Sequence, residues 1–166
     1  MNNTIPPIPT PYASLTPSLI LDAVENLGFP CNGSLIALNS YENRVYQIGI
    51  EDSAPLIAKF YRPQRWSNEA ILEEHQFAAE LASHEIPVVA PLKTEDGNSL
   101  HFYQEFRFSL FPRNGGRPLE LDNLEHLEWM GRFIGRLHAI GACRPFQHRI
   151  TLNVQNYGYA PYHYLL

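Results

Sequence analysis

The chain contains two lysines, Lys59 and Lys93. Lys59 interrupts an apolar run, Leu56-Ile57-Ala58-Lys59-Phe60. An ammonium there is costly to bury unless a partner or solvent satisfies it. Two carboxylates, Glu73 and Glu74, follow within the next helical segment. Glu74 borders that segment's apolar face, so it is the preferred partner, with Glu73 as the fallback. A strand lysine held by a helix glutamate can aim its ammonium at nucleotide phosphates. A lysine that snorkels from an edge strand satisfies the same pattern. Ahead of Lys59 lies a polar turn, Asn39 to Arg44, whose backbone amides and Ser40 hydroxyl suit a phosphate oxygen. The turn has no glycine, so it lacks a G-x-G-x-x-G pattern. On its own it reads as a surface hairpin tip.

These residues need a sheet and a helix to position them. Ser34 to Leu38 and Val45 to Ile50 read as a hairpin, and Pro55 to Tyr61 as a third strand. Ser67 is placed to cap a helix over 67–84. Val88 to Leu92, Ser99 to Tyr103 and Phe106 to Phe111 read as further strands around the Asp96-Gly97 turn. Before all of these, Thr16-Pro17 predicts a helix start, with Leu19, Ile20, Ala23, Val24 and Leu27 at helical spacing and Gly28 as the stop. Residues 1–16 carry Pro6, Pro7, Pro9 and Pro11 and read as an extended arm. After Pro112, Asn114-Gly115-Gly116 reads as a hinge loop. Asp122 is placed to cap a long amphipathic helix reaching about Ile140. The tail from Arg144 to Leu166 is aromatic and reads as irregular.

The whole is an α+β arrangement: an antiparallel five-stranded sheet with a helix, followed by helical segments. Three units are expected, over 1–16, 17–112 and 113–166.

Composition narrows the partners. The 166 residues carry a formal net charge of -5, with 45% hydrophobic and 17% charged residues. That is ordinary globular usage. A pI near 5.8 argues against a nucleic-acid binder. No apolar stretch is long enough for a membrane span, and no secretory signal opens the chain. Cys31 and Cys143 are far apart and form no metal motif. A cytoplasmic protein with reduced thiols is expected.

Several segments resemble the bacterial stress response kinase A family, of the aminoglycoside-phosphotransferase and choline-kinase-like branch of the kinase fold. They are Leu38 to Gln47, Ala58 to Pro63 with Arg65-Trp66, and Ile71 to Ala78. The likeness continues through Phe111-Pro112, Gly115-Gly116-Arg117, Gly131-Arg132, Gly135-Arg136-Leu137-His138 and His148-Arg149. It covers residues 15–160 in order. The resemblance implies a kinase-like N-terminal lobe and the first helical part of a C-terminal lobe. It implies a Ser/Thr protein kinase using ATP and magnesium, with a protein substrate. Lys59 would hold the α- and β-phosphates and Glu74 would orient it. Ser40, Tyr41 and Asn43 would cover the phosphates. Ser109, Leu110 and Phe111 would form the hinge strand beside adenine. His138 is a family landmark read as a packing residue.

The family's catalytic segment, His-Gly-Asp-x-His-x-x-Asn, and its downstream aspartate do not occur in this sequence. The base and the magnesium ligands are therefore expected beyond Leu166, and no metal site is expected within the chain. The chain alone is expected to be inactive and to bind nucleotide weakly. Its aromatic tail, without a covering lobe, is expected to favour self-association. Two other readings remain open. One is a small-molecule hydroxyl kinase, acting on an aminoglycoside, choline or homoserine. The other is a non-catalytic binding or regulatory module.

Overall fold

A computed structural model describes residues 11–166. Helix α1 spans Pro17–Glu25. Strands β1 (Cys31–Leu38), β2 (Arg44–Ile50) and β3 (Leu56–Phe60) follow, then α2 (Asn68–Ser83). Strands β4 (His101–Tyr103) and β5 (Phe106–Pro112) complete a five-stranded sheet. Helix α3 (Leu124–Gly141), a π-helical turn (Gln155–Tyr159) and a short α4 (Ala160–Leu165) form the remainder.

The sheet is antiparallel throughout, in the order β1-β2-β3-β5-β4. Register places Tyr46, Ala58 and Leu110 side by side, and Val45, Lys59 and Ser109 in the next row. Because side chains alternate along a strand, the two rows face opposite sides. Ile48, Ile50, Ala58, Phe60, Phe106, Phe108 and Leu110 form the core with α1. Lys59 therefore lies on the other face, towards α2.

Local chemistry sets the ends of the elements. Thr16 caps α1 through its Oγ1, which accepts from Leu19 N at 3.3 Å, and Pro17 sits where its missing amide is harmless. Ser67 caps α2 in the same way, accepting from Ala70 N at 3.1 Å.

The structure departs from the sequence expectations at five places. First, residues 1–10 of the expected arm lie outside the described residues, but residues 11–16 are not an extended arm. They turn back, bury Leu15 and stack Tyr12 on Phe106 at 6.4 Å. Tyr12 OH also donates to Glu42 O at 3.0 Å. Second, Val88 to Leu92 is no strand. Pro87 and Pro91 remove donors from this segment, which makes one ladder-like bond, Leu92 N to Leu110 O at 2.8 Å. Third, β1 begins at Cys31 and not at Ser34; the expected Asp96-Gly97 turn is present, closed by Gly97 N donating to Thr94 O at 2.8 Å, and β4 and β5 are joined at Gln104-Glu105. Gln104 takes a left-handed φ of 49° without a glycine to mark the turn. Fourth, Asn123, not Asp122, caps α3, accepting from Glu125 N at 3.0 Å. Fifth, the tail is helical over Gln155–Leu165 rather than irregular. The helix α3 itself is amphipathic as expected, but it buries no residue.

Candidate active site

Lys59 reaches across from β3 to α2. Its Nζ lies 3.1 Å from Glu74 Oε1, with the two side chains 23% and 39% exposed. The ammonium also sits 4.9 Å from the centre of the Tyr61 ring, within cation–π range. Burial pushes the Lys59 pKa below its ordinary value, the Arg149 charge pushes the same way, and Glu42 opposes them.

Glu73, one residue before Glu74, is turned elsewhere. Its carboxylate accepts from three consecutive amides, Gln147 N, His148 N at 2.9 Å and Arg149 N at 3.0 Å. Desolvation works against its charge, but these amides outweigh that and hold its pKa below the usual value. The two adjacent acids thus have separate partners, and Glu74 is the one that meets Lys59.

Behind the ion pair lies a buried polar relay. His75 shares a 2.7 Å hydrogen bond with Tyr61 OH through Nε2, and one of 2.9 Å with Ser99 Oγ through Nδ1. Ser109 Oγ lies 3.5 Å from Nε2. Burial, reinforced by the Lys59 and His101 charges, pushes the His75 pKa down to about 4. Burial also pushes the Tyr61 phenol up to about 12. The neutral ring donates through one nitrogen and accepts through the other, so the relay carries no buried charge.

A cavity of about 390 Å³ opens between the sheet and α2. Val45, Ile57 and Phe111 give it apolar walls, Lys59 and Glu74 its charged end, and Pro112 and Asn114 its rim. Ile57 and Lys59 share this face because they are two apart on one strand. Of the expected hinge residues, Phe111 lines the cavity. Leu110 does not: its side chain is buried in the opposite core and its carbonyl accepts from Leu92 N.

The β1–β2 turn stands beside this site. Glu42 anchors it, accepting from Trp66 Nε1 and Arg65 Nε at 2.9 Å each. Burial raises the Glu42 pKa, but these two donors outweigh that and keep it low. Asn43 Oδ1 accepts from Arg62 N at 3.2 Å, so Asn43 is a staple of the turn. Ser40 and Tyr41 are exposed at its tip. His138, read as a packing residue, is exposed in the last turn of α3.

Sequence reasoning assigned no role to His75, Glu42, Trp66 or Arg149. All four stood within recognised motifs, among them His75 and Arg149. Their partners, however, come from residues 61–109 and 66–74, and no local spacing encodes such contacts. Among the described residues, no cluster of three or more His, Cys, Asp or Glu side chains could hold a metal ion. Among the described residues, no helix is long and apolar enough to cross a membrane.

A sheet of this order, with a lysine–glutamate pair between β3 and α2 over an apolar cleft, is the nucleotide-lobe arrangement of a kinase fold. The chain belongs to the phosphotransferase enzyme family, whose model matches residues 34–161. It is 45% identical over 150 residues to stress response kinase A of Salmonella typhi, covering 90% of this chain and 45% of that protein. It has the same identity and coverage with the serine/threonine protein kinase RdoA of Salmonella typhimurium strain LT2. With stress response kinase A of Escherichia coli strain K12 it is 44% identical over 146 residues, covering 88% and 44%. The chain thus spans less than half the length of these relatives.

Among solved structures, it resembles the amicoumacin kinase hAmiN in complex with AMP-PNP, Ca2+ and Ami, with a TM-score of 0.66 and 22% identity. That match covers 78% of this chain and 41% of the other. A microcompartment-associated aminopropanol kinase gives a TM-score of 0.65 at 19% identity, covering 84% and 46%. These two likenesses bear on the fold.

Proposed function

We propose that this chain carries the nucleotide-binding part of an ATP-dependent Ser/Thr protein kinase of the stress response kinase A type, working in the cytoplasm. The observation that carries this reading is the Lys59–Glu74 pair, 3.1 Å apart, at the charged end of an apolar cleft. In this reading residues 17–112 are the nucleotide lobe and residues 113–166 begin the helical lobe. The adenine ring fits between Val45, Ile57 and Phe111. The Lys59 ammonium meets the α- and β-phosphates, and Glu74 orients it. Ser40 and the backbone of Tyr41 and Asn43 approach the phosphates from the hairpin tip.

Magnesium does not fit the residues present. Among the described residues, the only carboxylate lining the cleft is Glu74, which Lys59 and Arg149 already engage. The 166-residue chain alone is therefore inactive in phosphoryl transfer. The 44–45% identity to relatives named as stress response and serine/threonine kinases supports a protein acceptor.

The test is a transfer assay from ATP in a full-length protein carrying this sequence. Protein acceptors are compared with aminoglycoside, choline and homoserine. We expect label on protein Ser or Thr, and a loss of roughly 10²–10³-fold in Lys59→Ala. An unimpaired Lys59→Ala enzyme removes the role of this lysine. Label only on a small molecule replaces the protein acceptor with a hydroxyl metabolite.

A further inference from the structure

Glu74 holds two cations, one on each oxygen. Lys59 takes Oε1, and the Arg149 guanidinium takes Oε2. Arg149 comes from the segment after α3, far from Lys59 in sequence. Its backbone amide is held by Glu73, so the two adjacent acids of α2 grip the same residue, one by main chain and one by side chain. Its guanidinium also lies over the Trp66 ring at 4.4 Å. Trp66 in turn donates to Glu42 in the β1–β2 turn. A single arginine thereby ties the segment after α3 to α2, to the ion pair and, through Trp66, to the phosphate-side hairpin. Earlier in the same segment, Phe146 packs edge-on against Phe77 of α2 at 5.2 Å, and Arg144 pairs with Glu80.

We infer that Arg149 is a positioning residue for Lys59, supplied by the segment after α3. The inference rests on the reading of Lys59 as the phosphate-binding lysine. With Lys59 as its sole partner, Glu74 would hold the ammonium with its full charge. With Arg149 on the second oxygen, Glu74 is largely neutralised, and Lys59 keeps positive charge to offer an incoming phosphate. Arg149 also fixes the carboxylate in place. The groups facing Lys59 are Glu74 and His75 from α2, Tyr61 beyond β3, Glu42 from the hairpin turn, and Arg149. Of these, Arg149 is the one other permanent cation, and it belongs to the helical part of the chain. The state of the ion pair therefore depends on whether that part is docked on α2.

The two-lysine sequence makes the test specific. Reductive ¹³C-methylation yields one side-chain resonance each for Lys59 and Lys93. In Arg149→Gln and Arg149→Ala, the Lys59 titration moves upward, because a positive neighbour has gone and Glu74 is free to favour the ammonium. Glu73→Gln, which loosens the segment without removing the guanidinium, moves it the same way by less. A fluorescent ATP analogue binds Arg149→Gln about tenfold more weakly than the wild-type chain. Circular dichroism confirms that each variant is folded, and the neutral glutamine keeps a hydrogen bond to Glu74 if alanine unfolds the segment. An unchanged Lys59 titration in folded Arg149→Gln overturns the inference. So does equal nucleotide affinity in wild type and Arg149→Gln. A shifted titration in a chain that binds no nucleotide at all keeps Arg149 as the holder of the pair, and removes instead the phosphate role of Lys59.

Discussion

Phe60 on β3 and Phe133 on α3 are the same residue type on two amphipathic elements. Phe60 is 0% exposed and Phe133 is 39% exposed. The contrast extends to their surroundings. The sheet and α1 bury a continuous core that includes Ile20, Val24, Ile48, Phe106 and Phe108. Helix α3 leaves Leu124, Leu127, Met130 and Ile134 exposed, and α4 leaves Tyr164 and Leu165 exposed. A 3.6-residue apolar stripe shows which face of a helix seeks burial, not whether anything covers it. The helical part is joined to α2 chiefly by polar contacts. Arg136 donates to His84 O at 2.9 Å, and Glu73 accepts from three amides. The sheet side is stabilised by buried area, whereas the helical side is docked by directed bonds.

The largest test of this contrast is in the core. Phe60→Ala should destabilise the chain by about 3–5 kcal/mol, whereas Phe133→Ala should change stability by less than about 1 kcal/mol. Urea unfolding monitored by circular dichroism measures both. Equal losses would show that α3 is part of the same core.

The second test is pH. His75 is neutral in the folded protein, with its pKa pushed down from 6.5 to about 4. Between these values the unfolded chain binds a proton that the folded chain refuses, so stability falls with falling pH. The contribution is fully present above about pH 6.5. It is lost down to about pH 4, by roughly 3 kcal/mol. Urea midpoints at pH 7.5 and 4.5 should show this fall, and His75→Phe should flatten it.

The third test addresses the docked side. In Glu73→Gln, amide exchange at Gln147, His148 and Arg149 should accelerate while exchange in β2 and β3 stays slow. Uniform acceleration would mean that the two parts open together. The smallest effect concerns association. We propose that the chain, taken alone, self-associates through the exposed apolar faces of α3 and α4. Light scattering should show a mass that rises with concentration and falls back in Leu165→Ser/Tyr164→Ser. A monomer at high concentration removes this proposal.

Much of the sheet side was legible in the sequence. Period-2 alternation over Val45 to Ile50 placed Tyr46, Ile48 and Ile50 on one face, and those residues pack in or against the core. Ser67 and Thr16 marked their helix starts because capping is local. The choice between Glu73 and Glu74 rested on one step of helical phase. The structure pairs Glu74 with Lys59, since about 100° of rotation separates neighbours on a helix. Leu110 was expected to meet adenine through its backbone, but its carbonyl accepts from Leu92 N and its side chain lies in the core. The Gln104-Glu105 turn carries no glycine or asparagine, and the two-residue gap between the strand runs ending at Tyr103 and starting at Phe106 is what marked it.

By itself, the sequence determined the five strands, α1 to α3 and the core-facing stripes of the sheet and α1. These depend on neighbours within about one helical turn or on side-chain period. Only the tertiary structure decided that Arg149 and Lys59 share one carboxylate. The same holds for Glu73 gripping the chain at 147–149, and for His75 standing uncharged behind the site. Such contacts join residues brought near by the packing of separate elements. Their strength depends on burial and on exclusion of water, which no spacing along the chain records.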